Sequence, residues 1–169
     1  MTTTLLTDAF EHHAWATERL LDACAELSWD QLTTDAPGTY GPIIATLNHL
    51  VQSDRWYLHV LTDGRIDAFP DESRLDLDEL RQAHAFNAAT WRDVLATNPD
   101  PDTDISRSGE GWEFHAPWGI RLAQAVHHGT DHRSQICTAL TTLGIEPPFI
   151  DVWAFGAETG LVVEIPPTS

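Results

Sequence analysis

Four long stretches of this chain place apolar residues at three- and four-residue steps, a rhythm that admits little besides amphipathic helices packed on one another. Between Thr4 and Leu27 the series is Leu6, Phe10, Leu20, Leu21, Cys24 and Leu27. Pro42 suits a first helical position, and Ile43, Ile44, Leu47, Leu50, Val51, Leu58 and Leu61 follow in one stripe until Asp63-Gly64 ends it. Asp76 with Glu79 is a helix start of the capping-box type, continued by Leu80, Ala83, Asn87, Trp91, Val94 and Leu95 to about Asn98-Pro99. The last stripe, Leu122, Ala125, Val126, Gly129, Ile136, Leu140 and Leu143, runs from about Trp118 to a cap at Gly144. With no regular run of strands, the expected fold is all-α: a four-helix bundle with a long second-to-third or third-to-fourth connection.

Shorter features fill the gaps. Ser28 to Leu32 predicts one turn of helix, and Ala36 to Gly41 is dense in turn formers. Ile105-Ser106-Arg107 and Trp112-Glu113-Phe114 flank Ser108-Gly109-Glu110-Gly111, the pattern of a short hairpin before the last long helix. After Pro147-Pro148, Ile150 to Phe155 predicts one or two helical turns. Leu161 to Ile165 reads as extended, placed to cover a groove or meet a second subunit. A chain of 169 residues, 42% hydrophobic with seven Trp, can bury one proper core, so a single domain spanning 1–169 is expected.

Charge narrows the partners. Acidic residues outnumber basic ones 26 to 9, and a net charge of -17 repels nucleic-acid phosphates and anionic lipid surfaces. The N-terminal residues show no basic region followed by an apolar run, and no segment approaches ~18 consecutive apolar residues. Cys24 and Cys137 lie far apart and outside any CxxC pair, which predicts two reduced, mostly buried thiols. Together these point to a cytoplasmic protein.

The chemistry lies among nine histidines. His128 and His132, four residues apart on a predicted helix, project from one side a turn apart, so two nitrogens can reach one ion. Zinc and nickel accept neutral imidazole at about 2 Å, and a catalytic site commonly takes three protein ligands. A solvated or hydrogen-bonded pair explains the same spacing. Position favours the ion: the two rings flank the apolar stripe, beside Ala125 and Gly129, whose small size would leave room for an ion and substrate. His49 shares a helix face with Ala45, Gln52, Trp56 and Val60, opposite the main stripe, and is a candidate third ligand. His13 sits on the first core stripe, where a satisfied buried histidine is the commoner explanation. His12, His59, His84 and His127 face away from the stripes or lack a partner at useful spacing, and His115, in the loop before the last helix, could reach a substrate. Asp131 and Gln135 flank the pair and could orient a ring. Arg133 falls near the apolar side, where an inter-helix ion pair is expected. Trp56, Trp112 and Trp118 could line a pocket, although core packing accounts for each more simply.

The stretch Ala125-Val126-His127-His128-Gly129-Thr130-Asp131-His132-Arg133-Ser134-Gln135-Ile136 resembles the last core helix of DinB/YfiT-like proteins, with its HxxxHR-x-QI signature. Trp15 to Leu21 resembles the first helix of that family, Leu47-Asn48-His49-Leu50 the second, and Leu143-Gly144, Pro147-Pro148 and Asp151 to Phe155 the segment after the last. The resemblance covers about residues 5 to 156 and implies a divalent ion, nickel or zinc, on one histidine of helix two and two of the last helix. Carried over, these are His49, His128 and His132. Gln124 stands where many members have a further histidine. The resemblance also implies a homodimer packed through bundle helices. DinB-like relatives act on low-molecular-weight thiols, as mycothiol- or bacillithiol-dependent S-transferases and a maleylpyruvate isomerase.

Three neutral imidazoles leave a bound ion its full charge, so a thiol or water on it would lose its proton near neutral pH. The resulting expectation is a metal-dependent enzyme that delivers a thiol cosubstrate, or water, to a small electrophile. The alternatives are a non-catalytic metal-binding stress or accessory protein, in which a fourth ligand such as His13 or a carboxylate would close the site, and a metal-dependent hydrolase.

Overall fold

Of the six helices among the described residues, four begin on a side-chain cap, and the other two begin directly after a proline. The computed structural model describes residues 4–70 and 73–165. Helix α1, Leu5–Ala25, starts at Thr4, whose hydroxyl accepts from the Thr7 N–H. The short α2, Trp29–Thr33, opens on a Ser28/Gln31 capping box. Helix α3, Ile43–Leu61, follows Pro42, which stands just before the first helical residue. Helix α4, Leu77–Ala96, opens on the Asp76/Glu79 box, with both hydrogen bonds at 2.9 Å. Helix α5, Trp118–Thr142, closes in a Schellman motif: the Ile145 N–H reaches Leu140 O, the Gly144 N–H reaches Thr141 O, and Gly144 takes φ +74°. Helix α6, Val152–Glu158, is capped by Asp151.

The hairpin between α4 and α5 is present and slightly longer than its sequence signal. Strand β1, Asp104–Gly109, pairs antiparallel with β2, Trp112–Pro117, around Glu110-Gly111, with Gly111 at φ +79°. Its register sets Arg107 opposite Phe114 and Ile105 opposite Ala116.

Helix α1 packs against α4 and α5, and α3 packs against the same two, so the four long helices close into a bundle with α1 and α3 across from each other. Two apolar layers fill it. One joins Leu20, Leu21 and Cys24 to Leu47, Leu50, Leu80, Ile136 and Leu140. The other gathers Phe10, Leu58, Trp91, Val94, Leu122 and Ala125. Midway along all four helices a buried polar layer separates the two: His13 and Thr17 from α1, Asp54 from α3, His84 and Asn87 from α4, and Arg133 from α5.

After α6, Leu161 to Ile165 forms no strand. The Val162 N–H donates to Gly156 O, and Leu161 and Val162 border an apolar groove of about 810 Å³ with α1, α5 and α6. No helix among the described residues is long and apolar enough to cross a membrane.

Candidate metal centre

The polar layer explains the residues behind the site. Arg133, only 2% exposed, donates to Thr17 Oγ1, Thr130 Oγ1 and the ring nitrogen Nδ1 of His13, the last at 3.1 Å. A guanidinium only donates, so His13 Nδ1 accepts and its Nε2 carries the proton, given to Asp54 Oδ2 at 2.8 Å. The expected ion pair of Arg133 is thus made at one remove, with an imidazole between cation and carboxylate. Burial pulls the guanidinium down to about 10, and the Asp54 charge works against that.

The structure departs from two sequence expectations. Gly129 and Ala125 do not open space beside the histidine pair. Ala125 is fully buried in an apolar layer, and a Cβ on Gly129 would lie 2.3 Å from His13 Cε1 and 2.8 Å from an Arg133 nitrogen. The glycine is there to admit the His13–Arg133 contact. Gly129→Ala should therefore destabilise the metal-free protein by about 1–3 kcal/mol in urea denaturation, despite the better helix propensity of alanine. His84 does not face away: it is buried, its Nε2 donates to Ala14 O at 3.0 Å, and burial holds it down to about 4.

Against this layer, at the α3–α5 seam, His49, His128 and His132 converge. One potential ligand atom from each lies within 4.8 Å of the others, and no fourth His, Cys, Asp or Glu joins them among the described residues. His49 Nε2 and His128 Nε2 stand 3.0 Å apart. Two nitrogens each about 2 Å from one ion stand roughly 3 Å apart when they subtend a right angle, so the spacing suits a shared cation. The donor set suits it as well. Burial and the neighbouring rings hold His128 down to about 4, and burial with His132 lowers His49, so both are neutral at physiological pH with lone pairs to give. His132 Nδ1 donates to Gln135 Oε1 at 3.0 Å, which fixes its tautomer and leaves Nε2 as the ligand atom. The buried Nδ1 of His128 meets no protein acceptor, so no hydrogen bond on that side fixes the tautomer of this ring.

A loop residue completes the site. Tyr40 stacks on His49 with ring centroids 4.2 Å apart and meets His132 edge-on, while its backbone N–H donates to Gln135 Oε1 at 3.0 Å. The turn-rich segment before α3 carried no signal for this beyond an aromatic among turn formers. Tyr40, His49, Gln52, Trp56 and Arg74 line a cavity of about 390 Å³ that reaches the centre.

The other candidates lie elsewhere. His13 is saturated by Arg133 and Asp54 and offers no lone pair. His12 and His59 each bond a backbone carbonyl, of Ile150 and Ile66, and His127 is exposed. His115 pairs on the hairpin with Asp104 and Glu113, which raises its affinity for a proton. Gln124 donates to the Tyr57 hydroxyl, and the Tyr57 ring meets His128 edge-on. Asp131 is exposed and makes no hydrogen bond to the ligand rings. Trp118 packs against the second apolar layer, whereas Trp56 and Trp112 line a cavity.

A helical bundle with three converging histidines at one seam defines a class of candidate metalloprotein. The DinB family matches residues 1–161, nearly the whole length, and the chain belongs to that family. No curated protein matches it.

Proposed function

We propose that this DinB-family protein is a metal-dependent enzyme in which His49, His128 and His132 hold a nickel or zinc ion. The observation that carries the reading is the 3.0 Å approach of two neutral imidazole nitrogens with a third ring alongside and no fourth ligand from the described residues. A closed structural site would use four. When bound, the ion supplies Lewis acidity that deprotonates a low-molecular-weight thiol, or water, for attack on a small electrophile. The chain supplies position. Gln135 holds the His132 ring, Tyr40 shields His49 from solvent on one face, and the polar layer behind keeps α3 and α5 in register.

The thiol reading is tested by cobalt substitution. Addition of a small thiol should shift the visible spectrum of the cobalt protein saturably, and the His132→Ala variant should show no such shift. A cobalt spectrum indifferent to thiols and to imidazole would favour a non-catalytic metal-binding role.

A further inference from the structure

Beyond Trp56 lies a second cavity, of about 600 Å³, between α3, the hairpin and the start of α5. Trp56 lines this space and the one that reaches His49, and Tyr57, on its wall, touches His128. The cavity therefore adjoins the candidate metal centre. Its walls are aromatic, and Trp56, Trp112 and Phe114 remain 47%, 56% and 55% exposed. Large rings left half-open around one concavity mark a surface that binds something.

Its charge runs against that of the chain. In a protein with net charge -17, the lining contains Arg107 and Arg121 and no acidic residue. The two arginines are not equivalent. Arg121 is committed: its Nε donates to Ala116 O and an Nη to Ile105 O, which tie the hairpin to α5. At its guanidinium, Arg107 has no hydrogen bond or ion pair among the described residues. It rests from the hairpin over the Trp56 ring, its guanidinium carbon 5.6 Å from the centroid. Two hairpin carboxylates, Asp104 and Glu113, are engaged with His115. Burial holds the proton affinity of Arg121 down, and Arg107 adds a smaller effect of the same sign, as expected of two cations sharing a space.

We infer that this cavity binds a small organic anion, a carboxylate on an aromatic or apolar body, with Arg107 taking the charged end and Trp56, Trp112 and Phe114 enclosing the body. A guanidinium without a partner beside aromatic faces offers a planar fork for a carboxylate and flat surfaces for the rest of the molecule. The inference names a substrate class for the metal-dependent reaction and rests on that reading for any chemistry after binding. Binding itself needs no metal.

The probe is phenylacetate, with phenylacetamide as its neutral isostere, titrated by tryptophan fluorescence and calorimetry into full-length protein freed of divalent ions, so that no ion can hold the carboxylate. Phenylacetate should bind saturably, and the amide about tenfold more weakly or worse. Arg107→Gln should weaken phenylacetate binding by about tenfold with an unchanged melting temperature, and Arg107→Lys should restore part of it. Arg81→Gln, on α4 at the α1 face, should change nothing. Equal affinity for acid and amide, full affinity in Arg107→Gln, or no saturable binding at millimolar concentrations would each overturn the inference. Because the protein is metal-free, these curves stay the same whether or not the histidines hold an ion, and metal content judges that reading separately.

Discussion

Replacing His128 with alanine is expected to leave purified, tag-free protein without a bound divalent ion, where the unaltered chain carries about one equivalent of nickel or zinc by elemental analysis. The cluster has three ligand side chains, and removal of one leaves His49 and His132 alone to hold the ion. The fold should survive the change. His128 is half-buried, belongs to neither apolar layer, and its Nδ1 has no protein partner to strand. The circular dichroism of the variant should match that of the parent. His49→Ala and His132→Ala should lose metal in the same way. A variant that retained the ion would remove that histidine from the ligand set. A parent chain that stayed empty after incubation with nickel, zinc, cobalt and manganese would overturn the metal reading altogether.

The second large effect is on stability. Asp54→Ala should destabilise metal-free protein by about 3–5 kcal/mol in urea denaturation, because it strands a buried cation. Asp54 is 3% exposed and is the carboxylate whose charge supports the buried Arg133 through His13. The loss differs from an ordinary cavity effect in one measurable way. When the cation is removed as well, in Asp54→Ala with Arg133→Met, part of the stability should return, so the double variant is less damaged than the sum of the singles. Simple additivity would show that the two groups act independently.

The helices were legible because their apolar stripes and caps are local. Asp76 with Glu79, Gly144 after Leu143, and the Ser108 to Gly111 turn each announce an element within a few residues. The three histidines were legible for a different reason: two share a helical turn, and the third stands off its helix's main stripe, although the residues themselves left its role open until the family resemblance selected it. The polar layer was not legible. A buried arginine that reaches a carboxylate through a histidine depends on groups more than forty positions apart, and nothing local to Arg133 names Asp54 or His13. The reading of Gly129 as room for an ion failed on the same ground, since its neighbour across the bundle is contributed by α1. Tyr40 and Arg107 escaped notice because their parts depend on how a loop and a hairpin fold back on the bundle.

The polar layer has a further consequence for how the chain chooses among bundles. Leucine-rich helices can slide past one another by a turn, about 5.4 Å, at modest cost in burial. Here all four long helices contribute polar groups at one height, with apolar side chains above and below. A slipped α5 would carry the Arg133 charge in among the leucines, and a slipped α1 would part His13 from Asp54. The layer acts as an alignment pin through the middle of the bundle, and it holds His49 level with His128 and His132 before any ligand arrives.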